Sequence, residues 1–183
     1  KAFSTLCEAW QYARGENKDQ REYLSIQNSL IIVCMDRNFF DPVDSLINSS
    51  IQISKDLKLE INNPLYIETI NLKAGFYYRN KKLYNEALLL YLQVLDAKCE
   101  IFDENSLELS SLYNDLGCLY SDMGDIEKGD QYLLKSLTIR SELNGEYHPD
   151  NILINFNLGS HKFDFKQYDL AEYYFEKTFE IIE

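Results

Sequence analysis

The chain has 183 residues, 45% of them hydrophobic, which is ample for one elongated domain, and no apolar run approaches the length of a membrane span. Its net charge is −12, and the imbalance is local: residues 1–41 carry five basic and six acidic groups, 42–99 seven and six, and 100–183 six and eighteen. An acidic second half repels phosphate backbones, which argues against nucleic acid and for basic or neutral partners, although the same charge also suits a solvated outer helix face.

In chain order, Ala2, Leu6, Ala9, Trp10 and Ala13 describe one amphipathic helix that ends near Arg14-Gly15, and residues 1–20 read as the last helix of a preceding repeat plus a polar turn. Residues 21–62 form a degenerate repeat, with Val33, Ser45 and Ile53 lying 42 positions before Gly75, Ala87 and Leu95. From residue 63 the period is plain. Gly75, Gly117 and Gly159 recur at a spacing of 42, as do Ala87, Gly129 and Ala171, then Tyr78, Tyr120 and Lys162, and Leu95, Leu137 and Phe179.

Each unit is predicted to be two helices. Its two small residues lie twelve apart, each flanked by apolar residues at helical spacing, as in Tyr84, Ala87, Leu88, Tyr91 and Leu95. A small residue facing a large one lets antiparallel helices approach closely. The expected pairs are 64–80 with 84–100, 107–123 with 126–143, and 149–165 with 168–183, inside repeats 63–105, 106–147 and 148–183. Asn63 before Pro64 and Asp41 before Pro42 offer N-caps, Asn105 and Glu108 have capping-box spacing, Gly124 closes a turn within a repeat, and Gly145 to Pro149 turns between repeats. Because the chain starts at Lys1 and stops at Glu183 within an apolar helical pattern, the expectation is a fragment of a longer solenoid whose last repeat is truncated.

The pattern resembles the tetratricopeptide repeat, in the 42-residue variety of kinesin light chains and related scaffolds, over residues 22–183. The likeness is carried by Asn114-Asp115-Leu116-Gly117 with Tyr120, by Gly124-Asp125-Ile126 and Tyr132, and by Leu137-Thr138-Ile139-Arg140. Gly145-Glu146-Tyr147-His148-Pro149-Asp150 is similar to the family's Gly-x-x-His-Pro-Asp turn, and Asn157-Leu158-Gly159, Tyr168-Asp169-Leu170-Ala171 and Tyr173-Tyr174-Phe175 continue the likeness. Three departures stand out: Gly129 replaces the usual Ala, Lys162 the usual Tyr, and the turn at 102–106 lacks His-Pro. The resemblance implies an all-α, right-handed superhelical solenoid of antiparallel helix pairs, with the first helix of each pair lining a concave groove.

No chemistry is expected of this segment. His148 and His161 stand alone, without a His-x-x-x-His pair, a glycine-rich phosphate loop or a nucleophile elbow, so neither catalysis nor a metal or other cofactor is read here. His161 is expected to face a neighbouring helix or solvent. Cys7, Cys34, Cys99 and Cys118 form no Cys-x-x-Cys pair; reduced thiols in a cytoplasmic protein are the simplest reading, and no signal peptide is visible.

Resemblance to the family assigns the groove to Thr69, Leu72, Lys73, Phe76, Arg79 and Asn80, then Ser111, Asn114, Asp115, Cys118, Ser121 and Asp122, then Leu153, Phe156, Asn157, Ser160, Phe163 and Asp164. Asparagine amides can pair with an extended peptide backbone in both directions. Phe76, Phe156 and Phe163 read either as apolar anchor pockets or as filling of the narrow inside of the stack, with Asp115 and Asp122 selecting basic side chains. Chaperone-tail binding is not expected, since the family's carboxylate clamp would fall on Leu72, Phe76, Asp115, Leu153 and Asn157, and one repeat earlier on Leu30, Cys34, Lys73, Ser111 and Asp115. The leading expectation is a non-catalytic protein-interaction scaffold or adaptor that binds a peptide segment. The alternative is a structural or self-associating module packing on another domain or copy of its own protein, and a peptide-pheromone receptor is a more distant third reading.

Overall fold

The computed structural model describes Glu8 and residues 19–183, and the helix expected at 2–13 lies outside them. The described residues hold eight α-helices, a π-helical turn and no strand, and contact clustering divides the chain into two compact units, Lys1–Ala97 and Lys98–Glu183. The first unit contains α1 (Gln20–Asp36), α2 (Val43–Asp56), α3 (Pro64–Phe76) and α4 (Tyr84–Cys99) as far as Ala97. The second contains α5 (Leu107–Asp122), α6 (Ile126–Asn144), α7 (Asn151–Asp164) and α8 (Tyr168–Ile182).

The helix starts follow from their caps. Asn63 accepts from the Leu65 amide with Pro64 in the first turn, where a missing N–H costs nothing. Two expected caps are displaced. α5 is capped by Ser106, which accepts from the Leu109 amide, rather than by Asn105 with Glu108. Asp41 makes no cap either: α2 begins at Val43 after Pro42, with no side-chain bond to its first turn.

Between the helices of each clear pair the chain turns through a left-handed residue, and these residues also recur at 42: Lys82 at φ 57°, Gly124 at 82° and Lys166 at 63°. Only one of the three is glycine, so a sequence search for turn glycines finds one turn of the set. The first pair differs again, because α3 runs into the π-helical turn Tyr77–Lys81 before reaching Lys82.

The seam glycines explain the packing. A Cβ built on Gly117 would lie 2.9 Å from the Leu133 backbone nitrogen and 2.6 Å from Leu133 Cγ, and one on Gly159 would lie 2.6 Å from the Phe175 ring. Gly75 faces Tyr91 more loosely, at 3.4 Å from its hydroxyl. Tyr91, Leu133 and Phe175 are themselves 42 apart, so one large residue of each second helix is clasped by the glycine of the first. Around the Gly117 seam, Tyr132 of α6 stacks between Tyr120 and Tyr113 of α5 at centroid distances of 5.6 and 5.9 Å. Lys128 and Lys135 cover the outer faces of Tyr120 and Tyr113 at 4.9 and 4.5 Å, a run of cation–π contacts.

The degenerate repeat is a helix pair whose seam is displaced. Ser45, expected at the small position, is exposed, while Leu46, Ile47, Ser50 and Ser54 are buried. The reason is a polar clasp: the buried Gln27 amide donates to the Leu46 carbonyl at 2.8 Å and to Ser50 Oγ at 2.9 Å. Ser50, rather than Ser45, is thus the small residue that faces α1.

Two substitutions test this account by thermal or urea unfolding. Gly117→Ala forces Leu133 and its backbone aside and is expected to cost about 1–3 kcal/mol. Lys166→Gly relieves a left-handed lysine and is expected to add up to about 1 kcal/mol.

Candidate functional site

In the first unit, packing uses up much of the expected groove. Phe76 is 2% exposed and belongs to the core with Leu30, Ile31, Cys34, Val43, Leu46 and Ile47, against which Leu72 also packs. Phe76 is therefore a core residue and not an anchor pocket: α3 lies against α1 and α2, and this is the face it presents to them. Thr69 is fully buried and exchanges hydrogen bonds with Asn28 at 3.0 and 3.1 Å. Lys73 sits over the Tyr77 ring at 5.3 Å, while Arg79 and Asn80 line a cavity of about 410 Å³ with Ile32, Met35, Asp36, Asn38, Phe40 and Leu72.

In the second unit, α5 and α7 bring two of the expected asparagines together. Asn157 Nδ2 donates to Asn114 Oδ1 at 2.8 Å. That bond leaves the Asn114 amide hydrogens and the Asn157 carbonyl oxygen, a donor and an acceptor side by side. Asn114 is mostly buried and Asn157 half-buried, while Ser121 and Ser160 are half-buried and Asp122 is exposed. Cys118 packs against Leu133, Ile154 and Leu158. Asp115 lies close enough to Lys98 to hold its charge, although burial is the larger influence and lowers the Lys98 pKa; Lys98 also donates to the Glu108 carbonyl at 3.0 Å. Ser111 accepts from Arg140 Nη2 at 2.8 Å.

Phe156 and Phe163 leave this group. They are 52% and 57% exposed, and their rings meet Phe175 and Tyr168 of α8 at 5.7 and 5.6 Å. Both thus lie against α8, Phe156 on the ring that faces Gly159 and Phe163 at the start of the helix.

The least expected cluster lies between α5, α6 and α7. His161, 2% exposed, fills the space above Gly129, where an added Cβ would come within 2.7 Å of its ring. Its Nδ1 pairs with the Ser121 hydroxyl, and its Nε2 lies 3.0 Å from Asp130 Oδ1, out of line for a good hydrogen bond. Lys162, also buried, reaches the same carboxylate oxygen at 2.5 Å. Two of the three departures from the family pattern are thereby explained: His161 needs glycine at 129, and Lys162, in place of tyrosine, holds Asp130. Serine, histidine and aspartate in contact have the composition of a hydrolase triad, but a triad needs an accessible serine and free amide donors for the oxyanion. Here the imidazole is buried between helices, and Ser121 is half-buried.

Sequence reasoning also missed Asn151, fully buried, which donates to the Gly145 and Glu146 carbonyls at 2.9 Å each and so holds the Gly-x-x-His-Pro-Asp turn. Lys177 fastens the same turn to α8 through Glu146 at 3.0 Å. Cys7 lies outside the described residues, among which Cys34, Cys99 and Cys118 form no disulfide and no helix is long and apolar enough to cross a membrane.

Residues 119–183 match the tetratricopeptide repeat family. No curated protein matches the sequence significantly. Among solved structures, BtubC (BKLC) from P. vanneervenii is similar with a TM-score of 0.78 and 22% identity, over 97% of this chain and 70% of that one. A Podosopora anserina protein described as a kinesin light chain with nearly identical TPR-like repeats is similar with a TM-score of 0.75 and 16% identity, over 98% and 84%. A signal transduction ATPase with numerous domains and a tetratricopeptide repeat sensor, from Pyrococcus horikoshii, is similar with a TM-score of 0.75 and 18% identity, over 98% of this chain and 27% of that one. At these identities the likeness shows the fold alone, a solenoid of helix pairs.

The His161 cluster predicts a pH dependence. Burial is the largest influence and pushes the imidazole below its usual pKa; Asp130 opposes the shift and Lys162 adds to it. A depressed folded value means the unfolded chain takes up the proton first. The stability due to a neutral His161 is thus fully present above about pH 6.5 and is lost as pH falls through the window below it. Melting followed from pH 7.5 to 5.5 is expected to show this decline in the wild type and a shallower one in His161→Gln.

Proposed function

We propose that the chain, residues 119–183 of which match the tetratricopeptide repeat family, is a non-catalytic, cytoplasmic adaptor or scaffold that binds an extended peptide segment along α5 and α7. Tetratricopeptide repeats generally serve protein–protein interaction. The observation that supports the reading is the Asn157 to Asn114 hydrogen bond, which would leave one donor and one acceptor for a passing main chain. Asp122 and Asp164 are exposed on the same two helices and favour lysine or arginine on the ligand. The positions that would form a carboxylate clamp hold Leu153, Asp115 and Asn157, and Asp115 would repel a terminal carboxylate.

Screening the protein against a peptide library tests the proposal. Peptides that combine basic and apolar residues are expected to bind, and peptides ending in an acidic chaperone-type tail are not. Asn157→Ala is expected to weaken the selected peptides at least tenfold, about 1.4 kcal/mol, with the fold retained in circular dichroism and a modestly lower melting temperature from the unpaired Asn114 oxygen. Equal affinity for the variant would refute the groove assignment.

A further inference from the structure

Between α6, α7 and α8 lies a cavity of about 460 Å³, floored by Asn155 and walled by Leu137, Ser141, Tyr173, Tyr174 and Lys177. Asn155 is 4% exposed, and its carboxamide makes no hydrogen bond among the described residues. A buried amide in that position is costly unless something else meets it. The internal repeat shows why the space is there. Counting back 42, Asn155 becomes Tyr113, whose ring is stacked on Tyr132 at 5.9 Å and covered by Lys135 at 4.5 Å, with Lys135 tied to Glu104 at 2.7 Å. Tyr174, Lys177 and Glu146 repeat Tyr132, Lys135 and Glu104, and Lys177 meets Glu146 at 3.0 Å. Of this set only the ring is missing. Asn155 is too short to supply it, and Lys177 lies over Tyr147 and Tyr173 instead, at 5.0 and 5.9 Å.

We propose that this cavity is a binding site for a phenolic ring, supplied by a tyrosine side chain of a partner protein or by a small aromatic molecule. The ring stacks on Tyr174 with Lys177 over its other face, as Tyr113 lies between Tyr132 and Lys135. A phenol entering from outside leads with its hydroxyl, and the group waiting at the floor is the Asn155 amide, which can both donate and accept. Glu142, exposed on the rim, selects a neutral ring over an aromatic acid. The entrance does not depend on where the stack ends. Glu104 and Lys135 keep 75% and 36% of their side-chain surface although α7 and α8 follow them, so a further repeat leaves this side open. Asn157, two residues beyond Asn155, turns to Asn114 instead, and the site does not rest on the peptide groove.

The probes are p-cresol, toluene and a capped Gly-Gly-Tyr-Gly-Gly peptide, titrated into isotope-labelled protein and followed by nuclear magnetic resonance. p-Cresol is expected to shift the Asn155 side-chain amide saturably, and to bind roughly threefold or more tighter than toluene through the bond from its hydroxyl to that amide. Asn155→Ala keeps the space and is expected to lose the preference for p-cresol, read from the backbone amides of Tyr174 and Lys177. Asn155→Tyr restores the ring that the repeat carries at Tyr113, and is expected to abolish binding of every probe while raising the melting temperature. Binding of the peptide identifies a partner's side chain as the source of the ring; binding of p-cresol with exclusion of the peptide identifies a free molecule. No saturable shift at Asn155, which leaves the cavity to water, would overturn the inference. So would unaltered p-cresol affinity in Asn155→Tyr, or a preference over toluene that survives in Asn155→Ala.

Discussion

The contact on which the second unit depends is the approach of α5 to α6 at Gly117, where no side chain separates the glycine from the Leu133 backbone. An antiparallel pair of helices locked at one such point has little freedom in register, because ridges and grooves on either side must then interdigitate. Tyr132 accordingly falls between Tyr113 and Tyr120, and the Ser110 and Ser136 hydroxyls meet at 3.1 Å on the buried side. The face of α5 that points away from α6 is left to Asn114 and its neighbours.

Between repeats the constraint is looser, and the chain uses that freedom. Where the family commonly has alanine and tyrosine, this chain has glycine at 129 and lysine at 162, and the two changes belong together. The imidazole of His161 takes the volume that a methyl group would occupy, and its charge-poor burial is balanced by Asp130 and Lys162. Removing any one member would leave a cavity or an unpaired buried group, which is costly in a close-packed interior.

The surfaces that remain are of two kinds. Along α5 and α7 the exposed groups include the carboxylates of Asp122 and Asp164 beside the apolar Leu153, Phe156 and Phe163. On α8 they are aromatic with a carboxylate rim. On α8, Phe175 turns toward Gly159 and Phe156 of α7, while Tyr168, Tyr173 and Phe179 stay exposed.

Much of this was legible in the sequence, since a period of 42 is a statement about geometry: small residues that recur in step must recur at equivalent contacts. Gly75, Gly117 and Gly159 thus announced helix pairs, and Asn63-Pro64 announced the start of α3. Other features follow from which neighbour a residue meets, and a single sequence does not say. Phe76 and Phe156 lie one helical turn apart in the repeat register, on the same kind of face, yet Phe76 meets α1 and α2 and is buried, while Phe156 meets Phe175 of α8 and stays exposed. Lys82 and Lys166 bend as Gly124 does because the helices they join are already placed, so packing overrides a local preference worth roughly 1 kcal/mol. Sequence determined the repeat, its helices and its charge; tertiary packing decided which side chains of each helix remained available to a partner, because burial is a property of the pair and not of the residue.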